Sequence, residues 1–285
     1  MWGRSGARVV GRKDRGAESR RLDPAERLGY SRRMLSGKNA LVTGGGRGIG
    51  RAIAEALATS GAKVIVTGRS ASELDLVAKK TGGVAVVADL STTAGVRSLI
   101  DRVTELAPRI DVLVNNAGIA ESARVDKTSD EIWERTMAIN ATAPFMLCRA
   151  FLPKMIEARW GRVINIASSA GRTGFAYTSA YCASKHALVG LTRALAVEVG
   201  ASGVTVNAIC PGWVKTDMAA AAAANIASKT KRSQEDAEGA LAAMSPQRRL
   251  MEAEEVAHLV VALSAEGARG IHGQAIPLDG GQVMA

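Results

Sequence analysis

The chain has 285 residues, 47% of them hydrophobic and 22% charged, an ordinary composition for one large globular α/β domain. No run approaches the ~18 apolar residues that a membrane span needs, so no membrane partner is expected. Three scattered cysteines (Cys148, Cys182, Cys210) and three histidines (His186, His258, His272) form no CxxC pair, disulfide framework or metal-ligand spacing, which predicts a reducing, cytoplasmic setting and no metal.

The net charge of +10 is unevenly placed. Residues 1–33 hold ten Lys or Arg against four acids, so this segment carries +6 and leaves +4 for the other 252 residues. It has no apolar periodicity and few large hydrophobes, and residues 1–35 are therefore read as a disordered basic arm. The arm lacks the 7–15-residue apolar core of a secretory signal, and its four acids and sparse serines count against a mitochondrial one. Interleaved acids also dilute any nucleic-acid-binding patch. Met34 is the alternative functional start, with the arm incidental. The folded domain is expected over 36–285.

From Lys38 a strand and a helix alternate. Asn39–Thr43 is a short buried strand, followed by a glycine-rich turn and a helix over Ile49–Ser60 that stops at Gly61. Val64–Thr67 is the second strand, and Ser70 caps the next helix. Val84–Val87 is the third strand, with a helix over about 92–107 behind it. Asp111–Val114 is the fourth, followed by one long helix over about 129–157, with an interruption near Pro144. Arg162–Ala167 is the fifth strand and leads to a helix ending near Val199. Val204–Ile209 is the sixth, an irregular region runs to about Arg249, and Glu252–Ser264 is a helix. Gln274–Leu278 closes the chain before Asp279-Gly-Gly281. Apolar strands alternating with helices indicate a parallel, doubly wound α/β sheet in a single domain.

Two stretches carry chemistry. Thr43-Gly-Gly-Gly-Arg-Gly-Ile-Gly50 lies between a strand and a helix, where glycines let the backbone approach a pyrophosphate and the helix N-terminus adds amide donors for it. Tyr181-Cys-Ala-Ser-Lys185 places a phenol and an ammonium four residues apart on one helix face. A free tyrosine titrates near ~10, and an ammonium held beside it is expected to lower that value toward the range of general acid–base work.

With these two stretches, Asp89-Leu90, Asn115-Asn-Ala-Gly118, Asn140, Ser168, Pro211-Gly212 and Asp279-Gly-Gly281 follow in order, and the chain from 38 to 281 resembles the short-chain dehydrogenase/reductase family. The resemblance implies a Rossmann-like sheet of seven strands. It implies that Tyr181 is the acid–base group, that Lys185 lowers its pKa and binds the nicotinamide ribose, and that Ser168, thirteen residues before Tyr181, hydrogen-bonds the substrate carbonyl. Asn140 would hold a water linking Lys185 to solvent. Ser169 ranks second to Ser168, and Tyr177 lacks a lysine four residues on. The cofactor would lie on Gly44, Gly46, Arg47, Gly48, Ile49 and Gly50, with Asp89 and Leu90 at the adenine. Asn116 and Gly118 would contact it, Asn115 would tie strands, and Pro211, Gly212, Val214 and Thr216 would pass over the nicotinamide. The end of the second strand offers Gly68 and Arg69 where NAD enzymes usually carry an acid. Arg69 with Arg47 suits a 2′-phosphate, so NADP(H) is the expected cofactor.

Specificity is expected from a lid over about 214–249, with an alanine-rich helix at Ala219–Ala224 and basic residues Lys229, Lys231, Arg232, Arg248 and Arg249. These could meet the phosphates of coenzyme A or an acyl-carrier protein, or form a solvated face. Cys210–Asp217 and Ser245–Leu250 look like those of 3-oxoacyl-thioester reductases and 3-hydroxybutyrate dehydrogenases. Polyketide ketoreductases are also similar, but many have Pro-Gly-Gly after the Asn-Asn-Ala-Gly motif, where this chain has Ile119-Ala-Glu121. The leading expectation is NADPH-dependent reduction of a 3-oxoacyl thioester. The rivals are an NAD(P)-dependent dehydrogenase of a hydroxy acid, steroid or sugar and, in another class, an NADP(H)-sensing binding module. The resemblance also implies a homotetramer built through 129–157, the Tyr181 helix and the C-terminal segment.

Overall fold

A computed structural model describes residues 34–284; the expected basic arm, residues 1–33, lies outside them. Seven strands form one sheet: β1 (Asn39–Thr43), β2 (Lys63–Gly68), β3 (Val84–Val87), β4 (Val112–Asn115), β5 (Gly161–Ile166), β6 (Val204–Pro211) and β7 (Ala275–Leu278). Their order is β3-β2-β1-β4-β5-β6-β7, and every pairing is parallel. The helices are α1 (Gly48–Thr59), α2 (Ala71–Thr81), α3 (Thr93–Leu106), α4 (Asp130–Met137), α5 (Ala143–Glu157), α6 (Ser179–Val199), α7 (Asp217–Thr230), α8 (Gln234–Ala242) and α9 (Ala253–Ser264).

The two-residue period of the strands explains the layering. Ala40, Val42, Val64, Val66, Val112 and Val114 face one core with Ile53 and Leu57 of α1 and Val256 and Val260 of α9. Their neighbours Leu41, Ile65 and Leu113 face the other, with Leu99 of α3, Leu147 of α5 and Val199 of α6. Both faces are apolar because both are covered, which makes this the doubly wound α/β sheet expected. Strand order reverses between β1 and β4, so ligands belong beyond their carboxyl ends.

Ser70 caps α2 as expected, accepting from the Glu73 amide, and Gly82 ends that helix in the left-handed region. The expected helix over 129–157 is two helices joined by a wide turn at Ala138–Thr142. Pro144 has no amide to give the carbonyl of Asn140 four residues earlier, and a π-type turn absorbs the missing bond. The expected irregular region after β6 also needs correction. It holds α7, built on the alanine run and capped by Thr216, and α8, capped by Ser233. These two helices keep a small core of their own, Ala223, Ala237 and Leu241, against Trp213 and Ile226.

Candidate active site

The glycine turn between β1 and α1 is shaped for close approach. Gly44 and Gly48 sit at φ +64 and +51, where side chains are strained. A Cβ on Gly50 would collide with the Gly44 carbonyl. α1 begins without a side-chain cap and without an acid in its first turn, which leaves its amide donors and positive end for an anion. These features fit the phosphates of a dinucleotide. Asn116 closes the turn from behind, donating to the carbonyls of Thr43 at 2.8 Å and Gly44 at 3.2 Å. Thr43 is a residue that the motif reading passed over: its hydroxyl accepts from the amides of both Asn116 and Ala117 at 3.0 Å. Asn115 ties β4 to β5 through Asn165 at 2.8 Å, as expected of it.

At the end of β2, Arg69 is exposed with no acid beside it in sequence. Arg47 is exposed too, but it pairs with Asp217 at 3.3 Å and approaches Glu73 at 4.0 Å. Asp89 follows β3. The Ser91 amide bonds its carboxylate at 3.0 Å and, with the Ser91 hydroxyl and the charge of Arg69, holds its pKa below the usual range. Leu90 is buried in the core. Gly212 packs against Asp279, and a Cβ there would stand 3.0 Å from the Asp279 Cα. Val214 bridges to Met251 through its neighbours, the Lys215 amide donating to the Met251 carbonyl and the Trp213 carbonyl accepting from the Met251 amide, while Thr216 opens the lid.

The reactive groups converge from three elements. α6 carries Tyr181 and Lys185 in its first two turns, and Ser168 stands just past the end of β5. Lys185 is buried; its ammonium donates to the Ile166 carbonyl at 2.8 Å and stands 5.7 Å from the centre of the Tyr181 ring. Burial drives its pKa down to about 8, opposed only by Cys210 at the end of β6. The Tyr181 pKa is raised, and this corrects the expectation drawn from spacing. Burial is the largest influence on the phenol and Ser168 pulls the other way by hydrogen bonding, while the Lys185 ammonium donates to the Ile166 carbonyl. Ser168 also accepts from the Ala170 amide at 3.1 Å, which orients its hydroxyl. Ser169 is buried, and Tyr177 is exposed in the left-handed region.

Asn140, fully buried in the wide turn, braces two distant segments. It accepts from the Ile119 amide at 3.0 Å and donates to the Ile119 carbonyl at 2.9 Å and the Ser184 hydroxyl at 3.0 Å. It makes no direct bond to Lys185. Gly118 lies between the two: a Cβ there would meet Asn140 Oδ1 at 3.2 Å and Lys185 Nζ at 3.4 Å. Ser184, which returns a bond to the Tyr181 carbonyl at 2.8 Å, and Cys210, close to Lys185, are neighbours the sequence reading did not single out. Among the described residues no cluster of His, Cys, Asp or Glu could hold a metal, and no helix is long and apolar enough to cross a membrane.

A switch-point cleft with a phosphate-ready glycine turn on one side and a buried Tyr–Lys–Ser group on the other is the arrangement of a dinucleotide-dependent oxidoreductase. A family model described as short chain dehydrogenase matches residues 38–227. The chain is 39% identical over 257 residues to a D-beta-hydroxybutyrate dehydrogenase of Cupriavidus necator, covering 88% of this chain and 99% of that protein. It is 39% identical over 256 residues to a 3-oxoacyl-[acyl-carrier-protein] reductase of Pseudomonas aeruginosa, with the same coverage. A crystal structure of a single-residue variant of the actinorhodin polyketide ketoreductase with NADPH superposes with a TM-score of 0.83 at 34% identity, over 89% of this chain and 98% of that one. The chain belongs to the short-chain dehydrogenase/reductase family, whose members use NAD(P)(H) and act on CH–OH and C=O groups.

Proposed function

We propose that the protein reduces the ketone of a 3-oxoacyl thioester with NADPH. The observation that carries the reading is the grouping of the buried Tyr181 phenol with Ser168, which hydrogen-bonds it, and with buried Lys185 one turn further along α6. At neutral pH a phenol carries the proton that reduction of a carbonyl needs, and the choice of the reductive direction rests on the pairing with NADPH. The dinucleotide supplies the hydride when bound. Tyr181 Oη gives its proton to the substrate oxygen, and the Ser168 hydroxyl donates a hydrogen bond to that oxygen as charge develops. Lys185 holds its ammonium behind the ring and would bind the nicotinamide ribose. Asn140 positions the segment through Gly118 and Ile119. Cofactor choice rests on Arg47 and Arg69, with no acid at the end of β2.

The thioester is favoured by the lid. Its inner side is alanine-rich, and Lys229, Lys231 and Arg232 are exposed and form no ion pair among the described residues. They are free for the phosphates of a carrier. Arg249 is bound to Glu255 at 2.6 Å and is not. A second reading, oxidation of a hydroxy acid, is favoured by Arg172. One of its buried guanidinium nitrogens has no hydrogen-bond partner, and its charge reaches Cys210 as that of Lys185 does. A substrate carboxylate would satisfy it. A third, in another class, is NADP(H) sensing without turnover. We also propose a cytoplasmic homotetramer.

NADPH and NADH oxidation should be followed with acetoacetyl-CoA and with acetoacetate, using Tyr181→Phe as control. Turnover of the thioester with NADPH, lost by at least ~100-fold in the variant, is the expected result. Turnover of free acetoacetate alone would select the hydroxy-acid reading. NADPH binding with no turnover of any ketone would select the sensing module.

A further inference from the structure

The two arginines assigned to the 2′-phosphate are not equally available. Arg69 at the end of β2 forms no salt bridge among the described residues, although its charge reaches Asp89, whereas Arg47 is already held by Asp217 at 3.3 Å, with Glu73 at 4.0 Å. Asp217 is the first residue of α7, the first lid helix, and Thr216 before it is that helix's cap. The root of the lid rests directly on the glycine turn: a Cβ on Gly48 would stand 3.2 Å from the Thr216 methyl. A carboxylate on the lid is thus fastened to the guanidinium in the phosphate turn.

We propose that Asp217 is a cofactor-selectivity residue that occupies Arg47 until a 2′-phosphate displaces it, and that its release loosens the root of the lid. This rests on the reading that the cofactor carries a 2′-phosphate. A phosphate brings nearly two negative charges and three acceptor oxygens to the guanidinium, where Asp217 brings one charge. A bare ribose hydroxyl brings none and leaves the pair closed. The two side chains are 63% and 76% exposed, so the pair is weak enough to be exchanged. Once released, Asp217 stays at the positive end of α7, where its charge is still favoured. The lid therefore senses which dinucleotide has arrived before any substrate does.

The test uses the full chain and two fragments, 2′,5′-ADP and 5′-AMP, with Kd values from calorimetry. Wild type, Asp217→Asn, Arg47→Gln and the double variant are compared, and trypsin cleavage after Lys229, Lys231 and Arg232 reports the lid. Asp217→Asn should tighten 2′,5′-ADP about two- to five-fold and leave 5′-AMP unchanged, and the gain should vanish in the Arg47→Gln background. 2′,5′-ADP should speed cleavage in wild type but not in Asp217→Asn, where cleavage is already fast. No tightening, or an equal gain without Arg47, would overturn the proposal, since equal gain means simple relief of repulsion. Failure of the parent reading looks different: wild type would then bind 2′,5′-ADP no tighter than 5′-AMP, and both would fall.

Discussion

Lys185 is a cation kept where water is scarce, and its pKa of about 8 follows from that. A free lysine titrates near ~10.4, so the folded protein holds this proton less tightly than the unfolded chain does. The burial cost is present in full below pH 8. It is relieved as pH rises from about 8 toward about 10, where the unfolded chain still binds a proton that the folded one has released. Lys185→Met removes the charge at every pH, so its stability difference from wild type should move by about 1–2 kcal/mol in favour of wild type across that window. Urea unfolding at pH 7.5 and 9.5 would show it, and a difference that does not move would mean that Lys185 keeps its proton through pH 9.5 as the unfolded chain does, so that its pKa is not lowered. Catalysis should respond in the opposite sense. Loss of the ammonium weakens the group proposed to bind the nicotinamide ribose, so kcat/KM for reduction should fall above about pH 8. The Tyr–Lys–Ser group was legible because its members are tied by fixed spacings on one helix and one strand end. The pKa direction of Tyr181 was not. Spacing gives neighbours, but where an ammonium turns depends on a carbonyl nineteen residues away, that of Ile166.

At the scale of elements, the wide turn between α4 and α5 is the part of the site that periodicity describes least well. The apolar pattern runs through 129–157 as if it were one helix, and only Pro144 marks the break. The consequence, an asparagine turned inward to bond residues 21 and 44 positions away, depends on partners that no local pattern contains. Asn140→Ala should leave the partly buried Ile119 amide and carbonyl without their side-chain partner, costing about 1–2 kcal/mol and lowering Tm by several degrees. It should also lower kcat for reduction, because Gly118 stands between Asn140 and Lys185. Asn140→Asp, which keeps the acceptor for the Ile119 amide, should recover part of the stability. Equal losses in both variants would place the importance of the residue elsewhere than in that bond. The lid was under-read for the opposite reason. Its helices are made of alanine and polar residues, with too few large apolar side chains to show a clear stripe, although the alanine run itself favours helix.

For the whole molecule, the parallel, doubly wound sheet was legible because each strand is a short apolar run followed by a helix, and right-handed crossovers leave few other topologies. What a single chain's pattern does not separate is apolar surface buried within the fold from apolar surface waiting for another copy. Trp133 on α4, Phe145 and Ile156 on α5 and Val197 on α6 are exposed large hydrophobics on two of the three segments expected to build a tetramer. A stable interface of about 1,600 Å² draws much of its affinity from a few central anchors of this kind, and an aromatic one is often worth about 2 kcal/mol or more. Phe145→Asp places a charge where that ring would be covered, so it should weaken assembly by at least ~30-fold and shift sedimentation from tetramer toward dimer or monomer at micromolar protein. Leu76→Asp, on the solvent side of α2 and 71% exposed, is the matched control and should sediment as wild type. If Phe145→Asp remains tetrameric, the copies meet through another face and the exposure of these helices belongs to the monomer. If wild type itself sediments as a monomer, the family's mode of assembly does not extend to this chain.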